Sequence, residues 1–431
     1  MQFGGIIATA NTSQILIIGI TLNSFEHWQT AFTYNSGQLV GAVHHKSSKL
    51  LLQTICLNLN ISLGQNTSQC ENFGVLGLLE GTLVLSNTIV YYKTKNGNFN
   101  NFGTVGNITA TCQNATFTTI YSSKLQIEMI MAYSVIGRIG VMNGIQKAQN
   151  WSVDSININN STVSGQHVGI LLGYAMNNGS INNIVITQSQ VSVSVNNGTN
   201  ACGGIVLSWA GPHGAILIFN NILLTNNSVQ ANSQKTLQFT SSQISMLGGI
   251  IGEMYNSSYV QVIQTSQSNT VIQSSLHLTS NAGGIIGNVF ESFTIINSTQ
   301  QNSSININGN TFARAGGYIG EVCKGLLPNQ VIVIKNSYYN LFIVRVNSIN
   351  YASASGFIGY LNPSTIQISN VTISNINITI QSQNVTAKLT VIYEVGSIIT
   401  QNFVVSQGIN TINTVKQQNC QFVSYVSQSG C

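Results

Sequence analysis

Apolar and polar residues alternate along this chain in short runs with period two. Val191-Ser192-Val193-Ser194-Val195, Ile305-Asn306-Ile307-Asn308 and Ile376-Asn377-Ile378-Thr379-Ile380 are clear instances. A period of two sends successive side chains to opposite faces and predicts half-buried strands rather than helices. A second pattern punctuates these runs: a small residue, Gly, two apolar residues, then Gly. Its clearest copies are Gly248-Gly249-Ile250-Ile251-Gly252, Gly283-Gly284-Ile285-Ile286-Gly287 and Gly316-Gly317-Tyr318-Ile319-Gly320, and Ser355-Gly356-Phe357-Ile358-Gly359 continues the series. Degenerate copies carry Gly74 and Gly77, Gly103 and Gly106, Gly169 and Gly173, and the pair Gly203-Gly204. With residues 5, 38, 74, 103, 134, 170, 204, 249, 284, 317, 356 and 396 as the phase, the intervals run from 29 to 45 and centre near 35.

Between the glycine motifs, an apolar residue precedes an amide and alternating apolar positions follow. Asn183, Asn221, Asn297, Asn336 and Asn370 hold this place, and a second amide falls five residues later at Gln188, Asn226, Asn302 and Asn375. Asn tolerates the left-handed backbone of a corner and bonds local backbone, so these amides predict corners between strands. Stacked at strand spacing, they can also form a hydrogen-bonded ladder. Paired glycines predict a tight bend or a close backbone approach that a Cβ would obstruct.

Each repeat therefore reads as three short strands joined at corners. One such unit cannot bury its apolar face alone, whereas stacked units can. The expectation is an all-β fold: a parallel β-helix (solenoid) of about twelve coils with three strands per coil. The whole chain, 1–431, reads as a single β-solenoid. Repeats are less regular over 1–168 and regular over 169–400, and 401–431 forms a C-terminal coil or cap.

Composition sharpens this picture. Charged residues make up 5% and hydrophobic residues 43% of 431 residues. The formal net charge of +5 is carried by scattered Lys and Arg, which gives no concentrated face for nucleic acid. Sparse charge suits stacked strands, because like charges at strand spacing repel. No apolar stretch is long enough for a membrane-spanning helix. No basic region followed by an apolar core opens the chain, so no signal peptide is visible.

The repeated Gly-Gly-Ile-Ile-Gly copies, in this Asn-, Ser- and Ile-rich setting, resemble the GLUG-type repeats of large bacterial adhesins and of protist surface proteins. The resemblance runs from about Gly4 to Gly396. It implies a solenoid fold and, by association, attachment at a cell surface.

Candidate chemistry is sparse. Parallel β-helices that cleave polysaccharides need clustered carboxylates, and the chain has one Asp, Asp154, with eight Glu. Glu253 and Glu321 are the only pair in register, each directly after the closing glycine of its motif, with Asn288 and Tyr360 in the same column. Two coils apart, they would lie about 10 Å from each other. The alternative is two solvated glutamates at a strand end. The seven cysteines contain no CxxC pair, so no zinc site is read, and bridges Cys56–Cys70 and Cys420–Cys431 are conceivable. Adjacent His44 and His45 would point to opposite strand faces, which disfavours a shared metal. Neither a Gly-x-Ser-x-Gly elbow nor a Walker-type loop is present. Trp28, Trp151 and Trp209 could stack on sugars or pack as core and loop anchors. Asn-x-Ser/Thr sequons are abundant, among them Asn226, Asn297 and Asn302.

The expected function is a non-enzymatic surface or secreted β-helix, adhesive or structural, without cofactor or metal. It would be extracellular or at the cell surface and bind carbohydrate or another host or cell-surface ligand. The alternatives are a carbohydrate-active enzyme of glycosidase or lyase type using Glu253 and Glu321, and a scaffold that self-associates end to end.

Overall fold

The computed structural model describes strands between Gln2 and Val426, with residues such as 109–120, 140–150, 234–243 and 401–409 outside the described ones. It describes side chains chiefly between 153 and 378. Among the described residues the fold is all-β, and no helix is long and apolar enough to cross a membrane.

Nearly every pairing is parallel. One path of eleven hydrogen-bonded strands takes a single strand from each successive repeat. It begins at Gln2–Gly4 and passes through Thr33–Val43, Gln69–Leu79, Val105–Ile108 and Ile136–Ile139. It then continues through Leu172–Ala175, Leu207–Ala210, Ile251–Met254, Ile286–Val289, Ile319–Val322 and Ile358–Leu361. Register is kept along this path: Ile136, Leu172, Leu207, Ile251, Ile286, Ile319 and Ile358 are partners in turn. A second and larger parallel sheet joins the other strands from Tyr121 onward, with Ile156, Ile184 and Ile222 stacked in one column, while Gln14–Ile18, Thr21–Gln29, Lys49–Leu63 and Thr82–Lys95 form a separate four-stranded parallel sheet. Near the C-terminus, Asn410–Gln418 and Gln421–Val426 extend this sheet by pairing with Thr365–Ser382. The copy around Gly396 differs, because Ile392–Glu394 and Ile398–Thr400 pair antiparallel.

The glycine motif forms the bend between two strands of a repeat. Its first residue ends one strand, as Gly248 ends Ile244–Gly248 and Gly316 ends Thr299–Gly316. Its closing glycine is the second residue of the next strand, at Gly106, Gly173, Gly252, Gly287, Gly320 and Gly359. Gly74 and Gly77 lie within Gln69–Leu79, and Gly103 lies outside the described residues. Hydrogen bonds between repeats run through the bend, from Ile250 N to Ile285 O (2.9 Å) and from Ile285 N to Tyr318 O (2.9 Å). The glycines are explained by crowding at Gly287, where a Cβ would lie 2.5 Å from Gly252 O and 2.7 Å from Leu247 N. Backbone is a neighbour that cannot step aside, so a side chain here would force repeats apart.

Corners lie where the amides recur. Asn183, Asn221, Asn297 and Asn336 have φ of 56°, 56°, 54° and 49°, and Gln188, Asn226 and Asn302 have 51°, 55° and 48°. Gln264 and Asn269, both at 51°, complete the two columns in the repeat between Asn221 and Asn297. Asn370 lies in Thr365–Ser382, and its side chain is outside the described ones. Apolar side chains between corners point inward: Ile181, Ile184 and Ile186 sit beside Phe219, Ile222 and Leu224 of the next repeat, all essentially solvent-free. Burial of this continuous stack is the main driving force, at about 25 cal/mol per Å² of apolar surface.

Candidate functional site

The glycine bend places two columns of side chains opposite each other. Before the bend, His167, Cys202, Met246, Asn281, Arg314 and Ser353 occupy one place in register. After it, Tyr174, Trp209, Glu253, Asn288, Glu321 and Tyr360 occupy another. Members seven residues apart meet across the bend. Asn281 Nδ2 donates to Asn288 Oδ1 at 3.0 Å, Arg314 Nη1 lies 2.5 Å from Glu321 Oε1, and the rings of His167 and Tyr174 are 5.8 Å apart.

Glu253 and Glu321 thus share one column with Asn288 between them. Neither is a solvated strand end, since each is only 7% exposed. Burial is explained by the bend, which folds the preceding strand back over both. Their surroundings differ. Glu321 accepts from Asn281 Nδ2 at 2.5 Å and pairs with Arg314, whose guanidinium also lies 4.1 Å from the centroid of the Tyr360 ring. Among the described residues Glu253 has no ion pair or hydrogen bond, and burial pushes its carboxyl up to about 7. The spacing from closing glycine to Glu placed the pair in one column. Arg314 and Asn281 were missed, because nothing in a linear reading shows that the bend brings residues seven apart into contact.

Beyond Glu253 the bend is lined by His167, Cys202 and Ser208. His167 Nδ1 lies 2.9 Å from Cys202 Sγ, which also contacts Ser208 Oγ at 3.2 Å. Burial lowers the imidazole to about 4, so it is neutral, and burial raises the Cys202 thiol, with Glu253 adding to the rise. Cys202 and Cys323 are free thiols, whereas the side chains of Cys56, Cys70 and Cys420 and those of His44, His45, Trp28 and Trp151 lie outside the described ones. Trp209 sits in a row of rings, 5.1 Å from Tyr174 and 5.6 Å from Tyr255, with Phe290 5.8 Å further on.

A third feature is the corner ladder. Asn221 Nδ2 donates to Asn183 Oδ1, and Asn183 Nδ2 to Asp154 Oδ1, both at 2.7 Å. In the second column Asn269 Nδ2 donates to Asn226 Oδ1 at 2.8 Å. The single aspartate of the chain therefore accepts at the head of an amide ladder. No family model, curated protein or solved structure matches the chain.

Proposed function

We propose that the chain is a parallel β-helix of about twelve coils, three strands to a coil, of the GLUG-repeat kind. On this reading it is a non-enzymatic surface or secreted protein, adhesive or structural, that presents an uncharged, amide-rich face. One observation carries the reading: Glu321 and the corner amides, polar side chains that could do chemistry, are engaged within the stack instead. Glu321 is held by Arg314 and Asn281, and the corner amides by each other. A hydrolase needs two carboxyl groups open to substrate and water, and Glu321 is clamped within the bend.

The test is a glycan and cell-surface ligand binding screen on the purified chain, with product analysis on every hit and a Glu253→Gln/Glu321→Gln variant alongside. Binding without turnover, equal in wild type and variant, is the expected result. Turnover that vanishes in the variant would establish the carbohydrate-active alternative. Absence of any ligand, with concentration-dependent filaments, would establish the self-associating scaffold. Small-angle scattering supplies the shape: eleven or twelve coils at about 4.8 Å each give a rod of roughly 55 Å.

A further inference from the structure

His167, Cys202 and Met246 occupy the same register position in three consecutive repeats, His167 paired with Cys202 and Cys202 with Met246. Parallel partners lie about 4.8 Å apart with side chains on one face. An imidazole, a thiol and a thioether are therefore stacked along one line at the bend. The first two already converge, with Nδ1 2.9 Å from Sγ. Cys202 and Met246 are 0% and 1% exposed. His167 is half-buried, which leaves an approach from solvent on its side.

We propose that His167, Cys202 and Met246 form a binding site for copper(I). The donor set selects the ion. Thiolate and thioether are soft ligands that favour copper(I), and imidazole suits it as well. Among the described residues no three His, Cys, Asp or Glu side chains gather into a metal site, and the third donor we assign is the Met246 thioether, in register with Cys202. Hard ions such as calcium and magnesium want oxygen donors, and structural zinc wants four nitrogen or sulfur donors. Charge agrees: one thiolate neutralises one monovalent ion, so the complex is uncharged in a site where a net charge would be costly. The chemistry balances as Cu(I) displacing the thiol proton, one Cu–S bond formed and one proton released to solvent, with no change of oxidation state.

The surroundings support the assignment. The His167 ring presents Nδ1 to the Cys202 sulfur across neighbouring repeats, at 2.9 Å. Ser208 Oγ contacts the sulfur and donates to Cys202 O at 3.0 Å, which fixes the sulfur's position from the second shell. The Tyr174 ring stands 5.8 Å from the His167 ring across the bend, with Trp209 5.1 Å beyond it. The site does not depend on what the outer surface binds.

The test is an anaerobic titration of the full chain with copper(I) against a chromophoric copper(I) chelator, with X-ray absorption on the loaded protein. Wild type should withhold one copper that Cys202→Ser does not. Met246→Leu conserves core volume and keeps the fold, and should weaken binding by at least the roughly 10–100-fold known for outer-shell changes. Cys323→Ser, at the free thiol just after strand Ile319–Val322, should leave the bound copper in place. Absorption should show nitrogen and sulfur neighbours together. Wild-type stoichiometry and affinity in both Cys202→Ser and Met246→Leu would overturn the assignment, as would displacement of the copper by equimolar zinc(II).

Discussion

Glu253 and Glu321 stand at the same place in strands two repeats apart, equally buried and in register with the same Asn288. Among the described residues one is held by two donors and the other by none. The difference arises across the bend, seven residues upstream: Arg314 faces Glu321, and Met246 occupies the equivalent place before Glu253. A stacked fold repeats its backbone but not its side-chain partners. The same position can therefore be an ion pair in one repeat and an isolated carboxyl in another, and the isolated one must remain protonated to stay buried.

Removing the partner should produce the largest effect. Arg314→Ala leaves Glu321 as an uncompensated buried charge and should cost about 3–5 kcal/mol at neutral pH, read by urea denaturation. The double variant Arg314→Met/Glu321→Met removes both charges and should recover most of that loss. If the double variant is as unstable as the single one, the pair matters for packing and not for charge.

Next in size is the pH dependence set by Glu253. Its carboxyl is raised from 4.5 to about 7 in the folded chain. The folded state therefore holds this proton more tightly than the unfolded one. The associated stability is fully present below pH 4.5, declines as pH rises, and is lost above about 7. At 1.36 kcal/mol per pKa unit this amounts to about 3 kcal/mol. Glu253→Gln should flatten the profile in that window, and Glu253→Met should be more stable than wild type at pH 8. A profile unchanged by Glu253→Gln would show that the carboxyl finds a partner or water in solution.

The sequence made some of this legible and hid the rest for physical reasons. Glycine at the bend and Asn at the corners are dictated by local backbone: a Cβ at Gly287 meets main-chain atoms, and Asn183 and Asn221 adopt φ of 56°. Such demands appear as residue types at regular spacing. Gln264 and Asn269 adopt the same conformation without the Ile-Asn signature, so their repeat was not seen to have these corners. The contacts at the bend are tertiary. Arg314 meets Glu321 only because the chain turns at Gly316-Gly317, and His167 meets Cys202 across a separation of 35 residues. A reading that sought metal ligands at CxxC-type spacing could not find donors separated by a whole repeat.

The smallest effects belong to the exposed ladder, which completes the comparison by supplying partnered polar groups in water. Asn221 and Asn183 are exposed, and solvent can replace either partner. Deleting a ladder hydrogen bond should therefore cost less than the roughly 1 kcal/mol of an average one. The backbone adds a second contribution, because a non-glycine residue without a helpful side chain pays about 1–2 kcal/mol in the left-handed region. Asn221→Ala loses on both counts and should cost about 1–2 kcal/mol, whereas Asn221→Gly keeps the corner and should cost distinctly less. Asp154→Ala removes only the acceptor at the head of the ladder and should be smaller still, below about 1 kcal/mol. Urea midpoints in the order Asn221→Ala, Asn221→Gly, Asp154→Ala, from lowest to highest, would show that the corner backbone outweighs the ladder. A lower midpoint for Asp154→Ala than for Asn221→Ala would show instead that the aspartate sets the register of every amide stacked behind it.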